Sequence, residues 1–422
     1  MNKEKTLNNE LKVITSQMPG MESISIGVWI GTGGRYEDKK YCGISHFIEH
    51  MLFKGTYSRD ARELKQAIEG VGGHFNGFTA EEVTCYLVKV PKKHFIKGLD
   101  VLSDMVVNPK MDQAEIEKER YVILEEIKMY RDRPSSYVHE ILAQVMWPDH
   151  PLGRPLTGYE DTVSKITRSD LMEIKAKFYK PESIAVVACG KFEDRSFASV
   201  VKDKFSSLEG KGAPLYNKFK VAQREKKMSL YFKDTEQTHL AIGFHSSGRM
   251  DKRRYAIDLL NIILGGNMSS RLFEELREKR GLCYDVSSSS KKYEDTGAFF
   301  IHAGVDNRKV EETLKIITGE LMTIKDKLAD DDELNRAKEF YKGQLLLALE
   351  DTGSRMLWLG DKVMTEEGVP KIKDILERID DVKPGDIKKA ANLTFSEKLM
   401  NLSAIGPKDI LSKVPIEKLM RV

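Results

Sequence analysis

The chain has 422 residues, 41% hydrophobic and 32% charged, the composition of an ordinary soluble protein long enough for roughly two to four domains with real cores. Its 68 lysines and arginines stand against 65 aspartates and glutamates, a net charge of +3 that gives no argument for nucleic acid or an anionic membrane as partner. No run approaches 18 apolar residues and Met1 to Glu10 contain no apolar core that could act as an export signal, so a cytoplasmic site of action is expected.

In chain order, Ser23 to Ile30 alternates apolar residues and reads as a half-buried strand. Gly43-Ile44-Ser45-His46-Phe47-Ile48-Glu49-His50-Met51-Leu52-Phe53-Lys54-Gly55 reads as a short helix, with Ser45 as N-cap and Gly55 as stop. On it His46 and His50 lie four apart on one face, a spacing that lets two imidazoles share a metal ion, and Glu49 sits beside that face. Two neutral nitrogen ligands plus a carboxylate placed to take the proton of an attacking water are parts for metal-assisted hydrolysis. The order is H-x-x-E-H, the reverse of the commoner H-E-x-x-H, as in inverzincins.

A second helix is expected from Arg62 to Gly70, followed by Gly72 to Thr79 leading into a strand over Val83 to Val90; the glycines there mark close backbone approach or an open edge. Residues 112 to 131 form a long helical candidate closed by Pro134. A catalytic zinc ordinarily keeps three protein ligands, and Glu126 is assigned as the third. Glu119 lies seven residues earlier on the same stripe and is assigned to hold a histidine or the water in place, whereas Glu125 falls about 100° away. Cys42, Cys85, Cys189 and Cys283 are scattered as reduced thiols would be, and Cys42 is better read as a packed thiol than as a ligand.

The second half repeats the first. Val71-Gly72-Gly73-His74-Phe75 pairs with Arg280-Gly281-Leu282-Cys283-Tyr284 at an offset of 209, and Ala188-Cys189-Gly190 with Ala404-Ile405-Gly406 at 216. Two α+β domains of similar topology follow, each a mainly antiparallel sheet packed with helices: residues 1–210, a linker over 211–217, and residues 218–422. At offset 209 His46, Glu49 and His50 fall on Tyr255, Asp258 and Leu259, and at 216 to 218 Glu126 falls on Lys342 or Gln344, so no second metal site can be built.

Gly33-Gly34-Arg35-Tyr36-Glu37, the run from Gly43 to Thr56, and Glu119-Arg120-Tyr121-Val122-Ile123-Leu124-Glu125-Glu126 together resemble the pitrilysin and mitochondrial processing peptidase family of zinc endopeptidases, over nearly the whole chain. The resemblance implies one zinc per chain held by His46, His50 and Glu126, with Glu49 as general base. It implies that a peptide lies as an added strand along His74, Phe75, Asn76, Gly77 and Phe78. Arg277 and Tyr284, seven apart, together with Gly265-Gly266, match the family's element for holding the scissile carbonyl. Family members of double length enclose a chamber with four domains; a chain with two implies a homodimer, acting on peptides or unfolded, presequence-like segments. The competing expectations are a non-catalytic assembly or scaffold subunit of the same fold, and a metal-binding regulatory module that would not need Glu49.

Overall fold

The segment Ser23–Ile30 forms β3, a central strand of the first sheet. The computed structural model describes residues 2–192, 194–366 and 368–422. Around β3 stand β1 (Asn2–Thr6), β2 (Lys12–Gln17), β4 (His74–Thr79), β5 (Thr84–Pro91) and β6 (Ile184–Gly190), in the order β1-β2-β6-β3-β5-β4. Every pair is antiparallel except β2 with β6. The second sheet, built from β7 (Lys227–Phe232), β8 (Gln237–Ser246), β9 (Cys283–Lys292), β10 (Gly297–Asp306) and β11 (Met400–Gly406), runs β7-β11-β8-β10-β9. Here again one pair, β7 with β11, is parallel. Without β1 the two sheets have the same strand order, and β6 and β11 begin 216 residues apart, the offset of the sequence repeat. The fold is α+β, mixed sheets packed with helices in two domains.

β3 is buried from Ile24 to Ile30, not half-buried as its alternation predicts. On one face Val28, with Tyr86 and Val88 of β5, packs beneath Phe47, Ile48, Met51 and Leu52 of the helix Ile44–Leu52 and Leu102 of the helix Phe95–Val107. On the other face Trp29, Cys85 and Val187 meet Met356, Leu359 and Val363 of the helix Thr352–Thr365. A strand covered on both faces loses the polar alternation that would mark a solvent side, and here the second cover is supplied by a helix more than 300 residues away in sequence.

Two compact units result. The first comprises Met1–Lys128, Arg154–Asn217 and Leu346–Val369; the second comprises Met129–Gly153, Lys218–Leu345 and Pro370–Val422. The halves expected on either side of 211–217 thus exchange two segments, 129–153 and 346–369. In the second unit, the helix Pro134–Met146 brings Val138, Ile141, Leu142 and Met146 against Ala241, Ala298 and Ile405 of the second sheet, as Thr352–Thr365 covers the first. The repeat positions these two helices equivalently in sequence, but each sheet buries its second face under the helix carried by the other half of the chain. All four cysteines are buried free thiols, and among the described residues no helix is long and apolar enough to cross a membrane.

Candidate metal centre

The helix Ile44–Leu52 begins differently from the expected Ser45 cap. Its N-cap is Gly43, in a left-handed conformation at φ 93°, and no side chain caps it locally. The backbone N–H groups of Gly43 and Ser45 instead both donate to the buried carboxylate of Glu37, at 2.8 Å each. A carboxylate at a helix N-terminus satisfies two donors that have no intrahelical partner and complements the helix dipole. Burial outweighs these bonds in setting the Glu37 carboxyl, which is pushed up to about 7. At the other end the helix stops at Leu52, with Phe53 as C-cap, two residues before Gly55. Phe47, Ile48, Met51 and Leu52 fix the helix in the core, which sets the direction of the remaining face.

That face carries His46, Glu49 and His50. The imidazoles of His46 and His50 lie with ring centroids 4.5 Å apart. Opposite them the helix Gln113–Asp132 presents Glu126, whose Oε2 is 3.7 Å from Nε2 of His46 and 3.7 Å from Nε2 of His50. One donor atom from each of the three lies within 4.8 Å of the others, and among the described residues no other group of three or more His, Cys, Asp or Glu donors meets that test. Seven residues earlier on the same helix, the buried Glu119 meets Nδ1 of His50 through Oε2 at 3.0 Å, while its Oε1 pairs with Lys54. A proton on Nδ1 shared with Glu119 leaves the Nε2 lone pair of His50 directed toward Glu126, the arrangement by which an outer carboxylate fixes a ligand's tautomer. Glu125 points away: its side chain is exposed and pairs with Lys128 at 2.7 Å.

The electrostatics favour a cation. Burial, with the neighbouring His50 second, pushes His46 down to about 3, so its ring is neutral and able to ligate. Burial raises the Glu126 carboxyl, a cost that a bound cation would reverse. For Glu119 burial also pulls upward, but the hydrogen bonds from His50 and Lys54 and the Lys54 charge prevail and hold it below its ordinary value. Two imidazole nitrogens and one carboxylate oxygen brought within reach of one another fit zinc in both donor type and number.

Glu49 lies beside the three, buried, with its carboxyl raised by burial against a hydrogen bond from Thr79. The Thr79 hydroxyl donates to Oε2 of Glu49 at 2.6 Å. Thr79 ends β4, the strand at the edge of the first sheet, which also contains His74, Phe75, Asn76, Gly77 and Phe78. The strand's two-residue period sorts these positions: Phe75 packs on Phe53 from the helix side and Phe78 on Trp29 from the other. His74 and Asn76 are exposed.

Arg277 and Tyr284 belong to the second unit, whereas the three donors belong to the first. The structure brings the two together: Arg277 Nη1 donates to the backbone carbonyl of Tyr284 at 2.9 Å, and its guanidinium lies 4.8 Å from the Tyr284 ring centroid. Tyr284 is 76% exposed. Gly265 approaches β9 so closely that a Cβ there would stand 2.7 Å from the backbone nitrogen of Ser288.

The chain is similar to known proteins over most of its length. Residues 12–160 match the family model "Insulinase (Peptidase family M16)" and residues 165–341 the model "Peptidase M16 inactive domain". The chain is 36% identical over 403 residues to the uncharacterized zinc protease YmxG of Bacillus subtilis, covering 94% of this chain and 96% of that one. This chain belongs to peptidase family M16. A further M16 relative, an uncharacterized zinc protease of Streptomyces coelicolor, is 36% identical over 408 residues, covering 95% of this chain and 89% of the relative. The M16 fold is matched by the crystal structure of a protease from Helicobacter pylori, with a TM-score of 0.92 at 23% identity, covering 96% of this chain and 99% of that one.

Three further residues at this M16 site have no role assigned to them by the motifs, although Glu37 and Lys54 lie within the runs that carry the family resemblance. Lys54 continues the four-residue spacing of His46 and His50, and that spacing was a usable signal. Thr79 could be found only through the period of β4, and Glu37, six residues ahead of Gly43, carries no local signal for its capping role.

Proposed function

We propose that this M16 chain is a zinc-dependent endopeptidase that cleaves peptides or unfolded segments. The observation that carries the reading is the convergence of His46, His50 and Glu126 with the buried carboxylate of Glu49 alongside. His46, His50 and Glu126 would hold one zinc, which when bound supplies Lewis acidity to polarise a carbonyl and make a water easier to deprotonate. Glu49 takes the proton of the attacking water and returns it to the leaving amine. Glu119, itself held by Lys54, keeps His50 in its ligating tautomer. β4, an edge strand, offers main-chain hydrogen bonds along His74 to Phe78 to an extended substrate, which fits a preference for unfolded segments.

The M16 relatives named zinc proteases support hydrolysis over a scaffold role, and a site that served only to bind metal would have no use for Glu49. The expected result is a purified chain that holds about one zinc and cleaves a mixed peptide library internally, with both properties lost to a chelator and restored by zinc. A chain that binds zinc and cleaves nothing would leave the regulatory module standing instead.

The same reading makes the working enzyme a cytoplasmic homodimer about a two-fold axis, in which each zinc site is completed by Arg277 and Tyr284 of the partner subunit. An arginine and a phenol suit the developing oxyanion of the scissile carbonyl. Glu49→Gln chains mixed with Tyr284→Phe chains, each nearly inactive alone, should recover activity, because one of the two sites in a mixed dimer keeps both groups. If mass spectrometry shows subunit exchange and the mixture stays inactive, the shared site is wrong.

A further inference from the structure

Glu49 accepts one side-chain hydrogen bond among the described residues, and it comes from the edge strand: Thr79 Oγ1 to Oε2 at 2.6 Å. Two residues back on the same face of β4 is Gly77, where a Cβ would stand 3.2 Å from Glu49 Cγ, 3.3 Å from its Oε1 and 3.1 Å from Phe53. A side chain at 77 would make Glu49 and Phe53 give way by a few tenths of an ångström, and Phe75, two residues further back, closes the row on Phe53. The face of β4 that meets the helix is thus shaped around Glu49, with an absent side chain at 77 making room and a hydroxyl at 79 aiming one oxygen. A carboxylate buried to this degree, with one oxygen taken by a donor, has its rotamer set by that donor and not by solvent.

We infer that Thr79 is a positioning residue for Glu49, and that through Thr79 and Gly77 the edge strand expected to receive the peptide also orients the general base. The inference rests on the peptidase reading above and deepens it: docking of a substrate strand and aim of the base depend on one element, so displacement of β4 misdirects the carboxylate. Because Thr79 touches Glu49 and not the reacting atoms, its removal lowers turnover while substrate binding along the outer edge of the strand persists.

The test compares Thr79→Val, which keeps the shape and removes the donor, with Thr79→Ser, which keeps the donor. Thr79→Val should lower kcat by about 10- to 100-fold, the range expected for a lost hydrogen bond to a charged group, with KM, zinc content and Tm close to those of the parent. Thr79→Ser should restore most of kcat. Gly77→Ala should also depress kcat with zinc retained, by crowding the carboxylate instead of releasing it. In a crystal structure of zinc-loaded Thr79→Val, the Glu49 side chain should leave its present rotamer. A Thr79→Val chain with kcat within about twofold of the parent overturns the assignment, as does equal damage by Ser and Val or a loss that tracks zinc content. The parent and Glu49→Gln are assayed alongside: a parent without hydrolysis overturns the peptidase reading itself, whereas an active parent with an unimpaired Thr79→Val overturns the role of Thr79 alone.

Discussion

Glu49→Gln is expected to retain zinc and lose hydrolysis by about 100- to 10,000-fold, the contribution usual for a positioned acid or base. The amide is nearly the same shape as the carboxylate, and its oxygen can still accept the hydroxyl of Thr79, now seen at 2.6 Å. It cannot accept a proton from water. Since Glu49 is not one of the three converging donors, metal content and Tm should not move. Steady-state cleavage of a peptide beside a zinc assay reads both quantities. Activity within about tenfold of the parent, below the usual range for such a group, would remove Glu49 from the mechanism, and joint loss of zinc would mean that it ligates.

Glu126→Gln should produce the largest loss of metal, because it removes the only anionic donor of the three and leaves two imidazoles. Glu125→Gln, one residue earlier, should change nothing, since that carboxylate is exposed and pairs with Lys128 at 2.7 Å. Between them stands Glu119→Gln, which leaves the donors in place but weakens the contact with Nδ1 of His50 and frees Lys54. A loss of roughly 10- to 100-fold in metal affinity or activity is expected there. Zinc retention against a chelator series orders the three. If Glu125→Gln and Glu126→Gln lose zinc equally, the helix Gln113–Asp132 does not present the face seen here.

The site was legible in the sequence to the extent that helices carry it. Spacings of four and seven place side chains on one face whatever the helix packs against, so His46 with His50, and Glu119 with Glu126, follow from the numbers alone. What those spacings could not give is the distance between two helices 60 residues apart, and hence that Oε2 of Glu126 lies 3.7 Å from both imidazoles. The helix start was misread at Ser45 because capping is usually local, whereas here a buried carboxylate from Glu37 takes both free N–H groups. Thr79 and Gly77 were hidden for a related reason: their meaning depends on which face of β4 meets Glu49.

The order of elements in each half, the similarity of the halves, the H-x-x-E-H helix and the carboxylate stripe are all readable from the residues alone, because each is a local periodicity or a repeated pattern. Only the tertiary structure decided which helix covers which sheet. The helices Pro134–Met146 and Thr352–Thr365 occupy equivalent places in the repeat, and nothing local distinguishes packing on one's own sheet from packing on the other. Apolar burial is non-directional and rewards either arrangement about equally. The boundary between the units falls within the long helices Gln113–Asp132 and Asp331–Ala348, at Lys128 and at Leu345. The helix that follows each belongs to the unit built on the other half's sheet.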